Sequence, residues 1–276
     1  MTDDSLYHKA ARRIKKAAVL IITAGAGIGV DSGLPDFRGN RGFWKAYPPY
    51  ARLNLGFTEM ANPRWFETHP KMAWGFYGHR LNLYRRTVPH PGFDLLLHWA
   101  LSKRDYFVFT SNVDGQFQKT GFPDNRIVEC HGSIHHFQCL VPCRRDITAV
   151  GDWEVTVDEK SMAATSPLPR CPACGELRRP NILMFGDWNW LPDRSQSQED
   201  LFRSCLGRHG GDSLVVVEIG AGTGVPTVRM QSEEIAARTG GCLIRINLRE
   251  SHCHLPNALC LSGRAGQVLE KIRQAM

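Results

Sequence analysis

Four of the nine cysteines fall into two close pairs, Cys139-Leu140-Val141-Pro142-Cys143 and Cys171-Pro172-Ala173-Cys174. Thiolates three or four positions apart on a tight knuckle can reach one tetrahedral Zn²⁺, and two knuckles complete a Cys₄ set with no position left for water. That is structural metal chemistry, with chance pairing of buried cysteines as the alternative. Cys130, Cys205, Cys242, Cys253 and Cys260 sit in apolar contexts and read as small core residues. Gly25-Ala26-Gly27-Ile28-Gly29 directly follows an apolar run, where glycine lets backbone N–H groups close on a pyrophosphate. Its spacing is not the dinucleotide fingerprint, and a plain turn would use the same glycines. Thr110-Ser111-Asn112-Val113-Asp114-Gly115 and Glu129-Cys130-His131-Gly132-Ser133 each end a further apolar run. Polar residues at the C-terminal ends of strands are where open α/β sheets bind ligands. His131 is therefore a candidate general base, against the alternative of a structural histidine at a strand end.

The elements that must position these groups are legible in the periodicity. Leu6, Ala10, Ile14 and Ala17 recur at helical spacing, then give way to a continuous β-branched run, Ala17 to Ile22. Short continuous apolar runs at 106–110, 127–130, 214–219, 242–246 and 258–261 predict strands covered on both faces, as in a parallel sheet. Helix-like stretches at 92–102 and 228–238 lie between them, so the expected class is α/β, a Rossmann-like doubly wound parallel sheet. Residues 42–92 break the rhythm with tryptophans, phenylalanines and prolines and read as a helical insert, with one amphipathic helix over 65–86. Residues 133–185 hold the cysteine pairs with few periodic signals, the composition of a small zinc-binding module held by something other than a core. The expected domains are 5–41, 93–132 and 186–276 for the sheet, 42–92 for the insert and 133–185 for the zinc module.

Composition narrows the function classes. Lys plus Arg (34) minus Asp plus Glu (27) gives +7, and the pI is near 9.0, suited to an anionic ligand such as a nucleotide. The basic residues are scattered, which disfavours nucleic acid. Arg12-Arg13-Ile14-Lys15-Lys16 and the apolar run after it imitate a signal peptide, but the run ends in the glycine-rich segment with no cleavage context, and no stretch approaches a membrane span. A cytoplasmic, reducing location is expected, in keeping with an odd number of cysteines. Oligomeric state has no signature in the sequence.

Taken in order, Gly25-Ala26-Gly27-Ile28, Gly33-Leu34-Pro35-Asp36-Phe37-Arg38-Gly39, Asn112-Val113-Asp114, His131-Gly132, the two cysteine pairs and Met184-Phe185-Gly186-Asp187 resemble the sirtuin family of NAD-dependent protein deacylases. The resemblance spans residues 10–275. It implies a Rossmann-like domain and a small zinc domain, with NAD and an acyl-lysine protein or peptide meeting between them. By the same resemblance Gly25, Ala26, Gly27, Asp36, Phe37, Arg38, Ser111, Gly220, Gly222, Thr223, Asn247, Glu250 and Ala265 are NAD-binding positions. Asn112 and Asp114 line the nicotinamide pocket, His131 is the catalytic base, Phe185 and Gly186 face substrate, and Cys139, Cys143, Cys171 and Cys174 hold Zn²⁺. Ser111 stands where the family usually has glutamine, Asp187 where it has glutamate, and Gly220-Ala221-Gly222-Thr223-Gly224 where Gly-Thr-Ser is common. The first cysteine pair is one residue wider than usual.

In that family the acyl oxygen attacks the nicotinamide ribose as nicotinamide leaves, and the histidine then takes a proton from a ribose hydroxyl. The products are deacylated lysine, O-acyl-ADP-ribose and nicotinamide. Tyr77 and Arg80 resemble the tyrosine and arginine of sirtuins that accept succinyl- or malonyl-lysine, so the expected activity is deacetylation or desuccinylation, with an aromatic helix face and an arginine snorkelling to water as the alternative for this pair. Mono-ADP-ribosyl transfer or NAD hydrolysis is a second reading, and a non-enzymatic NAD-binding module a third, prompted by the altered 220–224 segment.

Overall fold

A computed structural model describes residues 3–35 and 39–276. The strands are β1 (Val19–Ala24), β2 (Asp105–Thr110), β3 (Ile127–Glu129), β4 (Gly132–Cys139), β5 (Thr148–Ala149), β6 (Val157–Asp158), β7 (Ala163–Ala164), β8 (Arg178–Ile182), β9 (Leu214–Ile219), β10 (Cys242–Asn247) and β11 (Leu259–Ser262). Six of them form one sheet in the order β11-β10-β9-β1-β2-β3, every pairing parallel. The continuous apolar runs arise here: β1, β9 and β10 are buried along their whole length because both faces are covered.

The helices are α1 (Asp3–Lys16), α2 (Gly39–Ala46), α3 (Pro48–Arg52), α4 (Phe57–Met60), α5 (Arg64–Thr68), α6 (Pro70–Arg86), α7 (Gly92–Leu101), α8 (Gln116–Thr120), α9 (Asp193–Arg208), α10 (Thr227–Thr239) and α11 (Ala265–Gln274). Leu20 and Ile22 of β1 point into a core shared with α1, α7 and α11, through Ile14, Phe93 and Leu269. Val19 and Ile21 point the other way, toward Phe202 of α9 and Ile235 of α10. The alternation of a strand thus divides one sheet between two helical layers.

Outside the sheet, β5, β4 and β8 make a three-stranded antiparallel sheet and β6 pairs β7. The sequence read as coreless over this stretch, and the structure corrects that. Phe137, Val155, Met162 and Leu177 pack with Phe43, Phe66, Trp74 and Phe76 of the helical segment in a single cluster. The expected helix over 65–86 is also two helices. Pro70 opens α6 after His69 leaves helical geometry, because proline has no N–H to continue α5. Among the described residues no helix is long and apolar enough to cross a membrane.

Candidate functional site

From β1 the chain builds β2 and β3 on one side and β9, β10 and β11 on the other, so the sheet's switch point lies between β1 and β9. Ligands of open α/β sheets bind outside the strand ends at such a point. Gly25 follows β1 there and Gly220 follows β9. A Cβ on Gly27 would lie 2.7 Å from Gly220 Cα, and one on Gly220 only 2.3 Å from Ile28 N. Gly220 also has φ +64, which side chains disfavour. Two glycine turns therefore touch backbone to backbone, leaving main-chain atoms as the floor of a cleft.

That cleft has a volume of about 670 Å³. Gly25, Ala26, Ser111, Asn112, Asp114, His131, Gly220 and Gly222 line it, with Tyr77, Arg80, Phe185 and Gly186 from the other side. A smaller cavity of about 150 Å³, lined by Gly27, Asn247 and Ala265, shares Gly220 with it. Thr223 and Glu250 line neither. The Thr223 hydroxyl instead donates to Glu250 Oε1 at 2.7 Å, tying the loop after β9 to the loop after β10. Asp36, Phe37 and Arg38 lie outside the described residues.

Several of the polar groups have a traceable support. The Thr110 hydroxyl donates to Ala24 O (2.9 Å) and accepts from Asn112 N (3.0 Å), and Asn112 Nδ2 donates to Gly25 O (3.2 Å). The end of β2 is thereby laced to the end of β1. Asp114 accepts from Gln116 N at 3.0 Å, and burial pushes its carboxyl up to about 6 against that bond and the Arg80 charge. Burial pushes the His131 imidazole below its ordinary value, so the ring is neutral at neutral pH and can accept a proton. Asn247 Nδ2 donates to Ala221 O at 2.7 Å, closing the floor of the smaller cavity.

On α6, Tyr77, Arg80 and Tyr84 share one face at helical spacing. Arg80 donates from Nε and Nη2 to the Tyr84 hydroxyl at 3.0 and 2.9 Å and lies against the rings of Phe76 and Tyr77. The buried Tyr77 hydroxyl has no hydrogen-bond partner among the described residues. Tyr84 was not singled out from sequence, although its i+4 distance from Arg80 was the available signal. Asp187, the residue standing for glutamate, grips Arg179 through two bonds of 2.6 and 2.8 Å, and both side chains are wholly buried.

The Sir2 family model matches residues 25–205. The chain belongs to the Sir2 family. An NAD-dependent protein deacylase of Pyrococcus abyssi is 30% identical over 95% of this chain and 94% of its own. One from Leptospira interrogans serogroup Icterohaemorrhagiae serovar Lai is 31% identical over 92% and 91%. A solved Sir2 homologue–NAD complex superposes with a TM-score of 0.71 at 25% identity, covering 97% of this chain and 93% of the other. An ADP-ribose complex of a Sir2 homologue gives 0.70 at 26% identity, covering 97% and 95%.

As a Sir2-family fold the chain has room for both groups that the family implies. The paired cavities run along the switch point, and the glycine cradle between them would be filled by any Cβ, which fits a dinucleotide. The four cysteine sulfurs fit zinc. A tetrahedral Zn²⁺ with Zn–S near 2.3 Å sets its thiolates about 3.8 Å apart. Here Cys139 and Cys143 are 3.5 Å apart, Cys143 and Cys171 3.8 Å, and Cys139 and Cys174 3.9 Å.

Proposed function

We propose that this Sir2-family chain is an NAD-dependent protein-lysine deacylase that forms nicotinamide and O-acyl-ADP-ribose, with His131 as its general base. The observation that carries this reading is the meeting of His131, Asn112 and a buried Asp114 over one glycine-floored cleft. NAD, when bound, supplies the ribose carbon that accepts the acyl oxygen and the nicotinamide that leaves. Asn112, anchored on Gly25 O, and Asp114, anchored on Gln116 N, orient the nicotinamide end. His131 takes the ribose hydroxyl proton, which a neutral ring can do and a protonated one cannot. Apolar walls from Val113, Ile182 and Met184 would exclude water from the ribose end of a bound NAD.

Tyr77 and Arg80 support a terminal carboxylate on the acyl group, as in succinyl- or malonyl-lysine. A buried guanidinium grips a carboxylate with paired bonds, and the Tyr77 hydroxyl has a bond left to give. The cysteine usage and the Cys₄ set support a cytoplasmic, reducing location. The deciding experiment incubates the protein with NAD and a panel of acetyl-, succinyl- and malonyl-lysine peptides and identifies products by mass. O-acyl-ADP-ribose is expected. Free ADP-ribose alone or ADP-ribosylated protein would reassign the chain to hydrolysis or ADP-ribosyl transfer, and no nicotinamide release with any peptide would leave a binding module.

A further inference from the structure

β3 is the last strand of the parallel sheet, only three residues long, so one of its edges has no neighbouring strand. Its inner edge is secured by pairing with β2, Thr110 against Glu129, and by Cys130 N donating to Thr110 O at 2.9 Å. Its outer edge is met by side chains from the first two turns of α9. Gln198 Oε1 accepts from Glu129 N at 3.0 Å, the Ser195 hydroxyl donates to Glu129 O at 2.8 Å, and Arg194 Nη2 donates to Glu129 Oε2 at 2.6 Å. One residue thus has its N–H, its carbonyl and its carboxylate all held by a single helix. Glu129, Ser195 and Gln198 are all buried, where an unmade hydrogen bond is costly.

Two residues further on stands His131. No described residue hydrogen-bonds its ring, so nothing on the side chain itself fixes where the imidazole points. Its backbone is fixed instead. Leu183 N donates to His131 O at 3.0 Å on the far side, and Gly132 has φ +78 with a Cβ position only 2.0 Å from Asn181 O. On the near side that backbone continues from the strand end, and that end is Glu129.

We infer that Arg194, Ser195 and Gln198 form a clamp that positions His131 through Glu129, and that they are positioning residues for the acyl-transfer step. This rests on the deacylase reading above. The helix carrying them makes no contact with the cleft through these three side chains, as none of them lines it, so their influence on the reaction passes through the strand end.

The test uses Ser195→Ala/Gln198→Leu, which removes both backbone partners and leaves the Arg194–Glu129 pair intact, so no charge is stranded. Two reactions of the full-length protein are compared with the best acyl peptide. Nicotinamide–NAD exchange needs the glycosidic bond broken but not the later proton removal, whereas O-acyl-ADP-ribose formation needs both. The His131 ring resonance, assigned by comparison with His131→Ala, is followed in histidine-labelled protein. The clamp predicts exchange within about twofold of wild type, O-acyl-ADP-ribose formation at least ~10-fold slower, part of the ~10²–10⁴-fold that a positioned general base supplies, and a displaced His131 resonance. Parallel loss of both reactions, or unchanged rates with an unchanged resonance, would overturn it. If the double variant does not fold, Ser195→Ala is read by the same criteria. Failure of the deacylase reading looks different: the wild type would form no O-acyl-ADP-ribose, while the resonance would still report on the clamp.

Discussion

At the scale of single residues, the chemistry depends on what burial does to ordinary side chains. Desolvation lowers the His131 imidazole, so under the proposed role its general-base form survives as pH falls until the lowered value is reached. The acid limb of kcat/KM for deacylation is therefore expected below pH 6.5, the ordinary histidine value. A limb centred above pH 7 would contradict the assignment. His131→Ala should keep NAD binding and nicotinamide exchange but slow O-acyl-ADP-ribose formation by at least ~10²-fold; near-normal product formation would remove His131 from its role. Arg80 is tested by charge. Arg80→Met should cost succinyl-peptide turnover selectively, by ~2–5 kcal/mol in kcat/KM for a lost buried charge pair. Equal losses on acetyl- and succinyl-peptides would leave Arg80 as packing for Tyr84 and Phe76. The place of His131, Asn112 and Asp114 at the cleft was legible because strand-end polar residues after apolar runs are conspicuous. Glu129, two residues before His131, was passed over because a carboxylate beside a strand reads as solvated until its partners on α9 are seen.

At the scale of elements, strands were easier to read than helices for a physical reason. A strand buried on both faces must be continuously apolar, and 214–219 coincides with β9 for that reason. The helix α9 went unseen because two of its four buried residues are the polar Ser195 and Gln198, which erases the apolar stripe. β4 and β8 were equally hidden, since the buried Asn181 Nδ2 donates to Gln138 Oε1 across them at 2.9 Å, a polar pairing that no periodicity announces. The join between α9 and β2 gives a pH prediction. Asp105 accepts from His209 (3.0 Å), Arg208 (3.1 Å) and Arg126 (2.5 Å). Burial alone would raise its carboxyl, but these partners outweigh it and lower the value to about 2. A depressed carboxyl stabilises the fold above the unfolded value of roughly 3.9 and loses that contribution as pH falls toward the folded one. Asp105→Asn should therefore lower Tm at pH 5 and converge on wild type near pH 2. A constant Tm difference over that range would show that the ion pairs carry none of the stability.

At the scale of the whole molecule, apolar packing is divided in a way that predicts what zinc removal does. The six-stranded sheet is packed by two clusters of its own, one through α1, α7 and α11 and one through α9 and α10. The residues around the cysteines have no such cluster to themselves, because Phe137, Val150 and Val155 share theirs with Phe43, Phe66, Trp74 and Tyr77. Trp74, Trp153 and Phe137 meet edge to face, with ring centroids 5.0–5.9 Å apart, and Trp74 Nε1 donates to Arg178 O of β8 at 3.0 Å. A structural zinc contributes on the order of 10 kcal/mol of folding free energy in small modules. Losing it should loosen β4, β5 and β8 and, through the shared aromatic core, α6 with its Tyr77 and Arg80. Metal analysis of pure protein should give one zinc per chain. Chelation, or Cys171→Ser, should remove the part of the near-ultraviolet signal that comes from Trp74 and Trp153, together with acyl-peptide binding, while Trp99 in the sheet core and the far-ultraviolet spectrum of the sheet and its flanking helices are kept. Zinc-free protein with an intact tryptophan signal would show that the shared core holds without the metal. Loss of the far-ultraviolet signal in the same step would show instead that the sheet depends on the cysteine module, against the separation of their cores.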